Sequence, residues 1–340
     1  MITGSTNLIT DVTGIRVGNA EDMARLSGVT VIMTERPARA AVDVRGGAPG
    51  TRETDLLDPE RSVAGVDAIT LSGGSAFGLD AAAGVQALLA EMGRGFEIGG
   101  IRVPIAPAAI LFDLLNGGVH GDARYPPYRD MGYAAAASVG TSFALGSAGA
   151  GLGATTATVR GGLGSASEVL PTGVTVGAIV AVNAVGTATV GDSAHFWAAP
   201  FEIGAEFGGL DPPDRMPERA AEIVLKGRPD PSVGQNTTIG VIATDASLTG
   251  AEARRLAVAG QDGLSRALWP CHTALDGDTV FALATGVYDA PDGLSARMDL
   301  ETAAARVMAR AVARGVFHAA SSAGLVKMPP AWSDRFGVRG

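Results

Sequence analysis

The chain predicts an α/β or α+β layered sandwich, and three observations point to it. Short runs rich in Val, Ile, Thr and Ala alternate with longer Ala/Leu-rich helical patterns along the whole chain. Hydrophobic residues make up 46% of the 340 residues but aromatics only 5%, and glycine numbers 48, so the core must be aliphatic and closely packed over glycine. No shift in composition marks a hinge, which predicts one unit spanning residues 1–340 rather than separable modules.

Taken in order, the predicted strands are Val29–Met33, Ala68–Leu71, Val174–Val182, Thr238–Thr244 and Thr279–Thr285. Their β-branched content suits a buried pleated surface. Gly78–Met92 follows a glycine turn and reads as a helix. Ala251–Leu268 opens on Thr249-Gly250-Ala251-Glu252, a capping-box spacing in which the Thr and Glu side chains each satisfy a backbone donor. Leu300–Ala320 places Val307, Ala311, Val312 and Val316 on one helical face. Met131–Val159 carries no charge, yet its Ala, Gly, Ser and Thr would gain little on transfer to lipid, so it predicts buried soluble structure. Between His195 and Gln235, Pro200, Pro212, Pro213, Pro217, Pro229 and Pro231 are mixed with charges, predicting a surface connection with one helix around Glu218–Leu225.

A formal net charge of -9 with no clustered basic face argues against nucleic-acid or anionic-membrane partners and favours a small or neutral substrate. The single cysteine, Cys271, excludes an intrachain disulfide. Its neighbour His272 invites a Cys/His pairing, which the opposite facing of adjacent strand residues weakens. Met1–Asn7 shows no basic segment followed by an apolar one, so a cytoplasmic protein is expected. His120, His195, His272 and His318 lack ligand spacing, and neither a metal nor a cofactor is expected.

The chemistry concentrates in a few runs. In Gly234-Gln235-Asn236-Thr237-Thr238, a threonine stands at the head of a strand. Such a residue can attack the carbonyl before it, pass through an ester, and after hydrolysis keep a free α-amine. That amine titrates near ~7.7–8.0 and can serve as base for its own hydroxyl. The same run also reads as a plain loop-to-strand junction. Asp276 and Asp278, at i and i+2, can share a face and orient a nucleophile, or simply form a turn before a strand. Asn183 ends an apolar run, where its amide could donate to an oxyanion or simply occupy a turn. Ser72-Gly73-Gly74-Ser75-Ala76-Phe77-Gly78 joins a strand to a helix and could cradle an anion or serve close packing. Arg160 closes the uncharged stretch, facing either a pocket or solvent. Asp43-Val44-Arg45-Gly46-Gly47-Ala48-Pro49-Gly50 is a glycine loop that is structural or pocket-lining.

Six ordered motifs together resemble the DmpA-type aminopeptidases, a family that includes β-peptidyl aminopeptidases and nylon-oligomer hydrolases. They are Ile9–Val12 with Gly14–Gly18, Asp43–Gly47, Leu71–Leu79, Gly161–Gly164, Asn236–Thr238 and Asp276–Thr279. The resemblance implies an αββα sandwich similar to N-terminal nucleophile hydrolases, cut between Asn236 and Thr237 into an α-chain, 1–236, and a β-chain, 237–340, that stay associated, with tetramers expected. It implies Thr237 as nucleophile, Asn183 as oxyanion donor, and Asp276 and Asp278 as the orienting pair. The threonine and two aspartates look more like the nylon-oligomer branch than the aminopeptidase branch. A lysine is expected just ahead of Gly161, where Arg160 stands. Because arginine stays protonated near neutrality, it is expected to act there only as an electrostatic anchor. The expected activity is hydrolysis of short peptides, amino-acid amides or amide oligomers. An acyltransferase using the same threonine and a non-catalytic ligand-binding scaffold are the alternatives.

Overall fold

The computed structural model describes residues 1–63, 65–121, 124–226, 236–289, 292–325 and 327–337. Gly234 and Gln235 of the proposed processing run, and Pro229 and Pro231 before it, lie outside the described residues. The strands and helices run in the order β1 (Ile15–Asp22), β2 (Ser27–Val44), β3 (Thr51–Arg52), β4 (Val66–Ser72), α1 (Ala81–Glu91), β5 (Phe96–Ile98), β6 (Ile101–Val103) and β7 (Ala108–Ile110). They continue with α2 (Tyr128–Ala137), β8 (Gly162–Val169), β9 (Thr175–Asn183), β10 (Thr237–Ala246), α3 (Gly250–Ala267), β11 (Thr279–Tyr288), α4 (Gly293–Phe317) and α5 (Trp332–Phe336).

Strand β2 organises the sandwich. Its first part, Val29–Met33, pairs antiparallel with β1 and β4, and its second part, Arg39–Val44, pairs antiparallel with β11. Glu35, Arg36 and Pro37 between them are exposed, and the register shifts there. Proline offers no N–H to a ladder, so the strand can leave one sheet and enter the next at that point. The path runs β3-β7-β4-β2-β11-β10-β9-β8, with β1 also on β2.

Three apolar layers hold this together. Ile32, Ile69 and Leu71 of one sheet meet Leu163, Ile179, Val241 and Phe281 of the other. On the outer face of the second sheet, Val180, Val182, Ile242 and Val280 pack under α3 and α4 through Leu256, Leu264, Val307 and Val312. On the outer face of the first, Val29, Val31 and Met33 pack under α1 and α2 through Val85, Leu89, Met131 and Ala135. Successive residues such as Ile179 and Val180 therefore serve opposite layers, because a strand covered on both sides needs apolar residues in both phases. The architecture is helix, sheet, sheet, helix, the αββα order expected. Glycine supplies the close approach: a Cβ at Gly164 of β8 would stand 1.8 Å from the Ala311 carbonyl oxygen of α4.

All five predicted strands and all three longer helices are present, with α4 starting at Gly293 rather than Leu300. The Thr249–Glu252 capping box forms: Thr249 Oγ1 accepts from Glu252 N, and Glu252 accepts from Thr249 N at 2.9 Å. The helix expected around Glu218–Leu225 does not form. The chain there makes isolated turns, Ala220 N to Pro217 O and Glu222 N to Arg219 O, and of these residues only Ala220 is buried. Without an apolar stripe to bury, a short helix has little to hold it.

Candidate active site

The register of β9 on β10 sets Asn183 opposite Thr237, and a parallel bridge sets Asn236 beside Asp276. Thus the candidates Asn183, Asn236, Thr237, Asp276 and Asp278 converge on the head of β10, although up to 95 residues separate them. Asn236 and Thr237 are 1% and 2% exposed. The carbonyl oxygen of Asn236 accepts the Gly277 N–H at 2.9 Å and the Thr237 hydroxyl at 2.5 Å. A side-chain hydroxyl and a backbone amide therefore both address the carbonyl of the Asn236–Thr237 bond.

Neither aspartate bonds to the threonine hydroxyl; each pins a backbone that carries a site residue. Asp278 accepts from Thr238 N at 2.8 Å, fixing the residue after Thr237, and from His272 N and Nδ1 at 3.0 and 2.8 Å. Asp276 accepts from Val185 N at 3.2 Å, just beyond Asn183, and from Thr273 N and Oγ1. Burial, followed by the charge of Asp278, raises Asp276 to about 6. Burial, the largest influence, would lower His272, but the hydrogen bonds with Asp278 and Cys271 and the charges of both together outweigh it and raise His272 to about 10. The Cys271 thiol meets Ser265 Oγ at 3.4 Å and also acts on the His272 ring, whose stronger partner is Asp278. The glycine loop after β2 clamps the aspartate turn, with Ala48 N on Asp276 O at 2.8 Å and Arg45 N on Asp278 O at 3.0 Å.

The Asn183 amide is oriented by its neighbours. Its Oδ1 accepts from Thr155 N at 3.0 Å and from Lys226 Nζ at 2.9 Å, while Nδ2 donates to Phe112 O at 2.9 Å. Lys226 was not singled out from the sequence. It is half-buried, with its ammonium also on Thr155 O at 2.9 Å and Asn183 O at 3.4 Å. Burial pushes it down to about 7, against the upward pull of Asp276 and Asp113. Lys226 and Thr155 line a cavity of about 250 Å³ together with Phe112, Asp113 and Asn116.

Two motifs take roles the sequence left open. The Gly73-Gly74 turn holds an internal carboxylate: Gly74 N donates to Asp113 Oδ1 at 2.8 Å, and a Cβ at Gly73 would fall 2.1 Å from Asp113 Oδ2. Arg160 is not a surface arginine, being 2% exposed. Its guanidinium donates to Leu152 O at 2.7 Å and Ala320 O at 3.1 Å, so it clasps two distant backbone segments. Among the described residues, no group of three or more His, Cys, Asp or Glu side chains could hold a metal, and no helix is long and apolar enough to cross a membrane.

The two-sheet sandwich between helical layers is shared with solved structures. The solved L-aminopeptidase D-Ala-esterase/amidase of Ochrobactrum anthropi, described as a new variant among the Ntn hydrolase fold, superposes with a TM-score of 0.69 at 20% identity, covering 97% of this chain and 92% of that one. The family model for Peptidase family S58 matches residues 7–328, and the chain belongs to that family. It is accordingly a hydrolase acting on amide bonds. It is 45% identical over 350 residues to an uncharacterized aminopeptidase of Mycobacterium tuberculosis, covering 97% of this chain and 98% of the relative. It is also 31% identical over 303 residues to the 6-aminohexanoate-oligomer endohydrolase of a Kocuria species, covering 85% and 78%.

Proposed function

We propose that the protein is a self-processing amide hydrolase that uses Thr237 as an N-terminal nucleophile on short peptides, amino-acid amides or 6-aminohexanoate-type oligomers. The observation that carries this reading is the Asn236 carbonyl, approached by the Thr237 hydroxyl and held by the Gly277 N–H. Attack of Oγ1 on that carbon breaks the peptide C–N bond, forms an ester, and leaves the proton on the released α-amine. Water then hydrolyses the ester, giving Asn236 a carboxylate and Thr237 both its hydroxyl and a free amine. In the uncut chain Thr237 is shut away and its nitrogen is an amide, so cutting both opens the site and creates the base.

The topology supports two fragments that stay together. Strands β10 and β11 belong to the second fragment yet sit between β9 and β2 of the first. Separation would break two strand ladders, the layer between the sheets and the outer layer under α3 and α4. In turnover, Oγ1 attacks the substrate carbonyl while the α-amine takes the proton and passes it to the leaving amine. Asn183 faces the developing oxyanion, and the acyl-threonine is released by water. Relatives named aminopeptidase and 6-aminohexanoate-oligomer endohydrolase support this substrate range.

Mass measurement on denatured wild-type protein tests the proposal. The expected result is two fragments, the smaller beginning at Thr237, and a Thr237→Ala chain that stays intact and inert. An intact Thr237→Ala protein with wild-type hydrolase activity overturns it.

A further inference from the structure

We propose that Lys226 is a positioning residue of the hydrolytic site: its ammonium fixes the orientation of the Asn183 amide, and its loss of a proton releases that hold. The inference rests on the hydrolase reading above.

Three oxygens, Thr155 O, Asn183 Oδ1 and Asn183 O, surround Lys226 Nζ, matching the three N–H groups of an ammonium. A neutral amine has only two N–H groups and a lone pair, which would face one of those oxygens. An amide side chain can present either end to a site. Here Thr155 N and Lys226 Nζ both donate to Asn183 Oδ1, so the N–H₂ end is turned the other way, toward Phe112 O. With the ammonium gone, two N–H groups and a lone pair must serve three oxygens, so the hold on Asn183 weakens beside the proposed nucleophile paired with it across the sheet. The charges bearing on Lys226 are Asp276, from the turn before β11, and Asp113, from the segment after β7. Lys327 lines the same cavity.

The backbone of Lys226 is itself anchored, its N–H donating to Val185 O at 2.9 Å. Lys226 precedes the Asn236–Thr237 bond, so it remains on the first fragment after processing. Burial pushes its side chain down to about 7, close to where a free α-amine ordinarily titrates. The two requirements oppose each other: the threonine amine must be neutral to accept a proton, whereas Lys226 must be charged to hold Asn183.

The test uses processed full-length protein with aminoacyl p-nitroanilides and the 6-aminohexanoate dimer as probes, following kcat against pH on whichever the wild type hydrolyses. Wild type is expected to show a rising limb and an alkaline fall. Lys226→Arg keeps a permanent cation and should lose the alkaline fall while retaining the rise. Lys226→Met should lower kcat by about 10²-fold with KM little changed, the size expected when an oxyanion donor is misplaced. Thermal melting of both variants separates this from unfolding, and Lys226→Arg remains decisive if Lys226→Met is unstable. Wild-type kcat in folded Lys226→Met, or an alkaline fall that persists in Lys226→Arg, overturns the assignment of Lys226. A wild-type chain that neither splits nor hydrolyses overturns the hydrolase reading itself.

Discussion

Gly277 is the most direct point at which to perturb the proposed processing without touching a reactive group. Its N–H holds the Asn236 carbonyl, and a Cβ built on it would lie against the Thr237 hydroxyl. An alanine there would bring Cβ to 2.7 Å from Thr237 Oγ1, 2.7 Å from Ala48 O and 3.2 Å from Pro49 Cα, where ordinary contact starts at 3.4 Å. Its φ lies outside the left-handed range, so the cost is contact and not backbone strain. Ala48 cannot yield easily, because its own N–H is bonded to Asp276 O. The threonine hydroxyl must therefore swing away or the turn must retreat, taking the Gly277 N–H off the carbonyl. Overpacking of this kind costs about 1–3 kcal/mol of stability. A displacement approaching 1 Å at a reacting centre costs about 10²-fold in rate. The assay is a time course of newly synthesised chain, following the fragment that starts at Thr237 on denaturing gels, with urea unfolding of the precursor alongside. Gly277→Ala splitting at the wild-type rate, in a folded protein, would refute the assignment of this turn to the scissile carbonyl.

Two further outcomes follow from the charged groups. His272 is raised from 6.5 to about 10 in the folded state, so its stabilisation is complete below pH 6.5 and is lost as pH rises toward 10. Lys226 is lowered from 10.5 to about 7, so between those values the unfolded chain binds more protons and stability rises with pH. The two opposing slopes overlap in the wild type. Urea midpoints at pH 7 and pH 9 should therefore climb relative to wild type in His272→Gln and fall in Lys226→Met; identical slopes in all three proteins would contradict both shifts. Arg160→Met should cost about 1–3 kcal/mol by leaving the carbonyls of Leu152 and Ala320 without their donor. It should still split and retain kcat; a folded variant that never splits would place Arg160 in the machinery.

The strands that the sequence revealed are those buried on both faces, because Val174–Val182 or Thr279–Thr285 then read as continuous apolar runs. Strand β8 is buried too, but Gly162-Leu163-Gly164-Ser165-Ala166-Ser167 has little apolar bulk, since α4 lies almost on its backbone. Its composition reflects the need for space, and that need is visible only once α4 is in place. Strand β1 was hidden similarly, its Asn19, Glu21 and Asp22 interrupting the pattern. At the site, Thr237, Asn183, Asp276 and Asp278 could be singled out because each stands at a strand end or turn with a reactive group, and strand ends are where a sandwich gathers side chains. The cation was different. Arg160 was singled out because it stands where the resemblance expects a lysine, and its guanidinium is turned to backbone carbonyls across the fold. Lys226 stood in a proline-rich connection with no local signal. What makes it chemically distinctive is three oxygens and two carboxylates contributed from elsewhere in the chain, together with burial that no window of sequence contains. Residue type can nominate a nucleophile, but the proton affinity of its neighbours is a property of the folded surroundings.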